Sequence, residues 1–182
     1  MTWQPTPLAP VDSEPGSGPD GDRWTLVFVR EFRHPREKVW AALTDPAQLD
    51  AWSPFRPDRD LAGTGPATLT MVDGETEVPM GATVLRAEPP ALLEYTWDND
   101  LLRWELADTG GGTRLTLRHT VAAAGWIPKV AAGWHLCFDV AEHLLDGDPV
   151  PTVRGQAAME YGWQDLHDQY AAKLGIETTA DG

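Results

Sequence analysis

A chain of 182 residues with 28 acidic against 14 basic side chains carries a formal charge of −14. That is length for one ordinary domain, and charge of the wrong sign to draw in nucleic-acid phosphates or an anionic membrane face. The single cysteine, Cys137, rules out an internal disulfide and a cysteine-rich zinc site, and with no long apolar run and no basic-then-apolar leader the chain reads as cytoplasmic.

Residues 1–22 hold Pro5, Pro7, Pro10, Pro15 and Pro19 among Gly16, Gly18 and Gly21. So little apolar surface predicts a disordered tail ahead of one domain over residues 23–175, with a second short tail at 176–182. From Trp24 to Phe32, Trp24, Leu26, Phe28 and Arg30 alternate with Thr25, Val27, Val29 and Glu31, the period of a strand. Two short helices follow. Pro35 suits a first turn, Val39 and Leu43 lie one turn apart, and Pro46 ends that helix while Asp45 caps the next, on which Leu49 and Trp52 share a face. Trp40 and Trp52 read as structural plugs. Strands are expected at 67–72, 77–87, 91–97, 101–107 and 113–121, with a weaker one at 55–61, and consecutive hairpins imply an antiparallel sheet.

The period then changes to that of a helix. Val130, Trp134, Cys137, Phe138, Ala141 and Leu145 form one stripe, residues 146–155 break it, and Met159, Trp163, Leu166, Tyr170 and Leu174 form a second that ends at Gly175. A helix folded over one face of an antiparallel sheet is an α+β arrangement.

The order of these elements, with PREKVWAALTDPAQLDAW, MGATVLRAEPPALLEYTW, TRLTLRHTV and AGWHLCFDVAEHLLDG, resembles the START-like (SRPBCC) superfamily over about residues 24–174. Within it, the chain is most similar to the branch named after the C-terminal domain of the activator of the heat-shock-protein-90 ATPase. The resemblance implies a helix-grip fold: a curved antiparallel sheet wrapped around a long C-terminal helix, two short helices after the first strand, and a cavity for an apolar or aromatic small molecule. Leu93, Tyr95 and Trp97 alternate on one strand, Leu102, Trp104 and Leu106 on the next, and Leu115, Leu117, His119 and Val121 on the last. Together with Met71 and Met80 from the earlier strands, Tyr95, Trp97, Trp104, His119, Trp134 and Phe138 are the expected ligand contacts.

His119, on an otherwise apolar face, is the candidate acid or base, with Tyr95 as its partner; the competing reading is a core histidine held by a carbonyl or by Tyr95. His135, Asp139 and His143 fall at i, i+4 and i+8, a permissive metal spacing. Lying away from the Trp134 stripe, they read instead as a solvated helix face, so neither metal nor cofactor is expected. Gly110, Gly111 and Gly112 sit between strands as a hairpin loop, none of Ser13, Ser17 and Ser53 stands in a nucleophile elbow, and Cys137 reads as packing. A monomeric or homodimeric binder of a hydrophobic small molecule ranks first. A polyketide cyclase or dehydratase using the same cavity ranks second, and a co-chaperone-like interaction domain third.

Overall fold

The computed structural model describes residues 3–18 and 21–177; residues 178–182, most of the expected C-terminal tail, lie outside them. Eight strands form one antiparallel sheet in the order β1-β2-β8-β7-β6-β5-β4-β3. They are β1 (Val11–Gly18), β2 (Gly21–Phe32), β3 (Phe55–Pro57), β4 (Gly65–Asp73), β5 (Thr76–Glu88), β6 (Leu92–Trp97), β7 (Asp100–Asp108) and β8 (Thr113–Val121). The helices are α1 (Arg36–Thr44), α2 (Pro46–Trp52), α3 (Ile127–Leu145) and α4 (Trp163–Leu174), with 3-10 turns at Ala124–Trp126 and Gly155–Tyr161. The curved sheet grips α3, its 19-residue helix, in a helix-grip α+β fold.

Strict alternation builds the concave face. Leu26, Phe28, Arg30 and Phe32 of β2, Leu115, Leu117 and His119 of β8, Leu102 and Trp104 of β7, and Leu93 and Tyr95 of β6 are all buried beneath α3. On the convex face the intervening residues make ion pairs, Arg103 with Glu94 and Glu105, Arg118 with Glu14 and Glu105. Such exposed pairs contribute about 0–1 kcal/mol each.

The break between α1 and α2 follows from Pro46, which keeps Asp45 extended (φ −72°, ψ 121°) and so stops α1. Asp45 then caps α2, its Oδ1 accepting from Ala47 N–H at 3.0 Å, with Pro46 in the first turn. Both plugs are buried, and Trp52 donates its indole N–H to the Ala42 carbonyl at 2.8 Å, tying α2 to α1.

Three expectations change. The Pro/Gly-rich segment is not a free tail: Val11–Gly18 pair along the edge of β2, Val11 opposite Phe28, and residues before them bond to α3 and α4. An edge strand needs backbone groups more than apolar side chains and tolerates Pro15, so composition alone does not reveal it. The folded unit therefore starts well before residue 23. At 55–61 only three residues pair as a strand. The second helical stripe begins at Trp163, because Gly162 (φ +86°) separates it from the 3-10 turn that leaves Met159 exposed. Among the described residues no helix is long and apolar enough to cross a membrane.

Candidate functional site

Beneath the middle of α3 the expected hollow is filled by the chain's own aromatic rings. Trp134 stacks on Phe138 with centroids 5.7 Å apart, Trp104 meets Trp134 edge-on at 5.3 Å, and Trp52 closes on Phe138 at 5.9 Å. Such pairs add about 0.5–1.5 kcal/mol beyond their buried area. Trp104 and Phe138, both expected as ligand contacts, are therefore core.

The open space lies to one side. A cavity of about 700 Å³ runs between the first turns of α3, the β4–β5 hairpin and the segment that leads through the 3-10 turn into α4. Of the residues expected to touch a ligand, Met71, Trp97 and Trp134 line it. Met80, Tyr95, Trp104, His119 and Phe138 do not: Trp104 and Phe138 are packed on Trp134 within the aromatic cluster, and His119 is bonded to the Trp134 indole. Val130, Gly133 and Cys137 of α3, Val78 of β5, Val153, Met159 and Trp163 complete an apolar wall, with Asp73, Lys129, Arg154, Gln156 and Gln164 as its polar members. This outer half is not legible in the sequence, where residues 146–155 read as a break and the stripe from Met159 to Leu174 as a packing helix. Gly133, in the middle of an apolar helix, was the available signal.

The roof is fixed at one point. Gly155 (φ +53°) lies so close to the Asp73 carboxyl that a Cβ there would stand 2.1 Å from it, and Asp73 Oδ1 also accepts from Gln156 N–H at 3.4 Å. Arg154 holds the same segment down, donating to the Ser53 and Asp50 carbonyls at 2.7 Å each.

The inner wall has an anchored member. Trp134 Nε1–H donates to His119 Nδ1 at 2.9 Å, and His119 Nε2 lies 2.8 Å from Asp100 Oδ2. An indole can only donate, so Nδ1 supplies the lone pair and Nε2 carries the proton toward Asp100. Both nitrogens of His119 are thus engaged in positioning Trp134. Tyr95 is fully buried, and burial pushes its phenol up, with the neighbouring Trp104 indole acting against the shift. Even so, neither Tyr95 Oη nor Trp104 Nε1 has a hydrogen-bond partner among the described residues. Cys137, in the cavity wall, has its thiol pushed up to about 12 by burial and stays protonated.

The other flank of α3 corrects a further expectation: His135 and Asp139 are buried, not solvated. Asp139 Oδ1 accepts from Arg30 at 2.7 Å and from the Thr6 hydroxyl at 2.7 Å, and Oδ2 accepts from Thr6 N–H at 3.0 Å. Arg30 also reaches Glu142 at 2.8 Å. His135 Nε2 donates to the Thr6 carbonyl at 3.0 Å, and Nδ1 lies 2.6 Å from Tyr170 Oη, which itself accepts from Ala9 N–H. His143 is outside this network, its ring packed 5.8 Å from that of Trp3. The metal spacing is spent on clasping residues 3–10 to the core, and among the described residues no cluster of three or more His, Cys, Asp or Glu is placed to hold a metal ion.

Solved structures share this architecture. CalU16 from Micromonospora echinospora superposes with a TM-score of 0.69 at 22% identity, covering 90% of this chain and 96% of its own. EF2215 from Enterococcus faecalis gives 0.66 at 15% identity over 91% and 92%, and MLL2253 from Mesorhizobium loti 0.60 at 26% over 69% and 99%. At 15% and 22% identity the likeness is one of fold. A comparison with curated proteins returns no match. The family described as Activator of Hsp90 ATPase homolog 1-like protein matches residues 33–146, more than half the chain, though not the roof of the cavity. From the order of its elements, its gripped helix and that match, the chain belongs to the Activator of Hsp90 ATPase homolog 1-like family of the START-like superfamily.

Proposed function

We propose that the protein binds a hydrophobic or aromatic small molecule in the cavity between α3, the β4–β5 hairpin and the roof segment. Gly133 carries this reading. A glycine inside a helix costs about 0.5–1 kcal/mol relative to alanine and is expected where backbone must bend or approach closely. Gly133 has no positive φ, and a Cβ built on it would meet nothing within 4 Å. What remains is room, at a half-buried position where the helix forms the cavity wall. The surrounding apolar groups supply affinity by desolvation at about 25 cal/mol per Å².

Chemistry inside the cavity is not favoured by the same geometry. His119 stands behind Trp134 with both nitrogens committed, and the Cys137 thiol stays protonated. Binding therefore ranks above the cyclase reading.

The test is native mass spectrometry of the protein from its own host, paired with titration of 2-acetylanthracene followed by tryptophan fluorescence. A retained apolar molecule and saturable binding are expected, with Gly133→Phe, which fills the space, weakening the probe by more than tenfold at an unchanged melting temperature. Equal binding by Gly133→Phe would remove the cavity from the account.

A further inference from the structure

Two tryptophans side by side form the inner wall, with ring centroids 6.2 Å apart, and they differ in one respect. The Trp134 indole N–H is bonded to His119. The Trp97 indole N–H is buried and has no acceptor among the described residues. The groups around it explain why none of them serves. Phe55, at 5.1 Å, offers only a ring; His119, at 5.8 Å, has given its lone pair to Trp134 and points its proton at Asp100; Trp134 can only donate. Buried polar groups in folded proteins are nearly always paired, so a buried indole N–H with no acceptor, on a residue that lines a cavity, marks a place made for an acceptor.

Resting on the cavity reading above, we propose that the cavity selects apolar ligands that carry a hydrogen-bond acceptor oxygen, a ketone, quinone or ester in place of a plain hydrocarbon, and that Trp97 Nε1–H is the donor that receives it. Trp97 is suited to this by position. It is the last residue of β6, is half-buried, lines the cavity, and is followed by Asp98 in the left-handed region (φ 53°). For the donor to meet a ligand the indole turns about its own side-chain bonds, since its N–H lies buried against its neighbours. Trp134, tethered through His119, keeps the opposite part of the wall in place while Trp97 turns. A donor left unmatched by a hydrocarbon stays buried and unpaired, and that asymmetry gives such sites their discrimination.

The experiment compares two probes of one shape, 2-acetylanthracene and 2-isopropenylanthracene, in which the carbonyl oxygen of the first is a methylene carbon in the second. Calorimetric titration of the full chain should give the ketone about tenfold tighter than the alkene, the worth of one buried hydrogen bond. Trp97→Phe should reduce that ratio to within twofold, the smaller ring weakening both probes alike. In the wild-type complex, which needs no variant, the infrared carbonyl stretch of bound ketone should lie below its value in hydrocarbon solvent. Equal affinity for both probes, or a carbonyl stretch at the hydrocarbon value, overturns the donor role of Trp97 and leaves the cavity reading intact. Failure of both probes to bind overturns the cavity reading and this inference with it.

Discussion

The two flanks of α3 are built on opposite plans. Toward β2, the helix is locked by a buried network in which Arg30, Asp139, His135, Tyr170 and Thr6 use up one another's hydrogen-bonding capacity. Toward β4 and β5 it presents Gly133, Val130 and Cys137 to open space, across from a tryptophan whose polar atom is unspent. The first flank fixes where the helix lies, so the second can stay unfilled without the helix settling into the gap. A cavity in a domain of this size needs such a counterweight, since close packing is the default and an empty apolar space forgoes dispersion contacts.

The largest break in that comparison should come from Asp139→Ala. It leaves Arg30, 9% exposed, beside a lost carboxylate and frees both Thr6 donors, so a loss of about 3–5 kcal/mol is expected, measured as a drop in the urea midpoint. The double variant Arg30→Met with Asp139→Leu should recover part of it, because Arg30 is then no longer buried beside a lost carboxylate, while the Thr6 donors stay without theirs. Next in size is the contrast within the wall. Trp134→Phe removes the partner of His119 Nδ1 and should cost about 1–2 kcal/mol, whereas Trp97→Phe removes a donor that bonds to nothing and should stay within about 1 kcal/mol of wild type. Equal costs for the two variants would mean that the wall has no anchored and unanchored member. On the open flank Gly133→Ala should raise stability by about 0.5–1 kcal/mol, visible as a higher melting temperature.

A gradual effect is expected from acid. His135 is held below its ordinary value of 6.5 chiefly by burial, with Asp139 opposing and Arg30 assisting. The unfolded chain therefore takes up the proton first. Stability from the neutral ring is complete above about pH 6.5 and is lost as pH falls from there through the lower folded value. Urea midpoints between pH 8 and pH 5 would show the slope, and His135→Gln should flatten it.

Sequence made one flank readable and concealed the other. The strands and α3 announce themselves because each buries one face, so Leu115, Leu117 and His119, or Trp134 and Phe138, recur at the right period. Met71, Trp97 and Trp134 were identifiable as facing the same space for that reason. The clasp was not, since Thr6 meets Asp139 across 133 positions and Ala9 meets Tyr170 across 161, and proline-rich composition gives no sign of either. His119 shows the same limit: its face was evident, while Asp100 and Trp134, which occupy its nitrogens, belong to other elements and become neighbours only in the fold.

The close approach of Gly155 to Asp73 marks the position where the roof meets its hairpin. Because the backbone there is already left-handed, a side chain is strained before it meets anything, and to admit a β-carbon the Asp73 carboxylate would have to swing aside and give up its bond to Gln156. Turn and hairpin are thus matched to one another through the one residue there that brings no side chain.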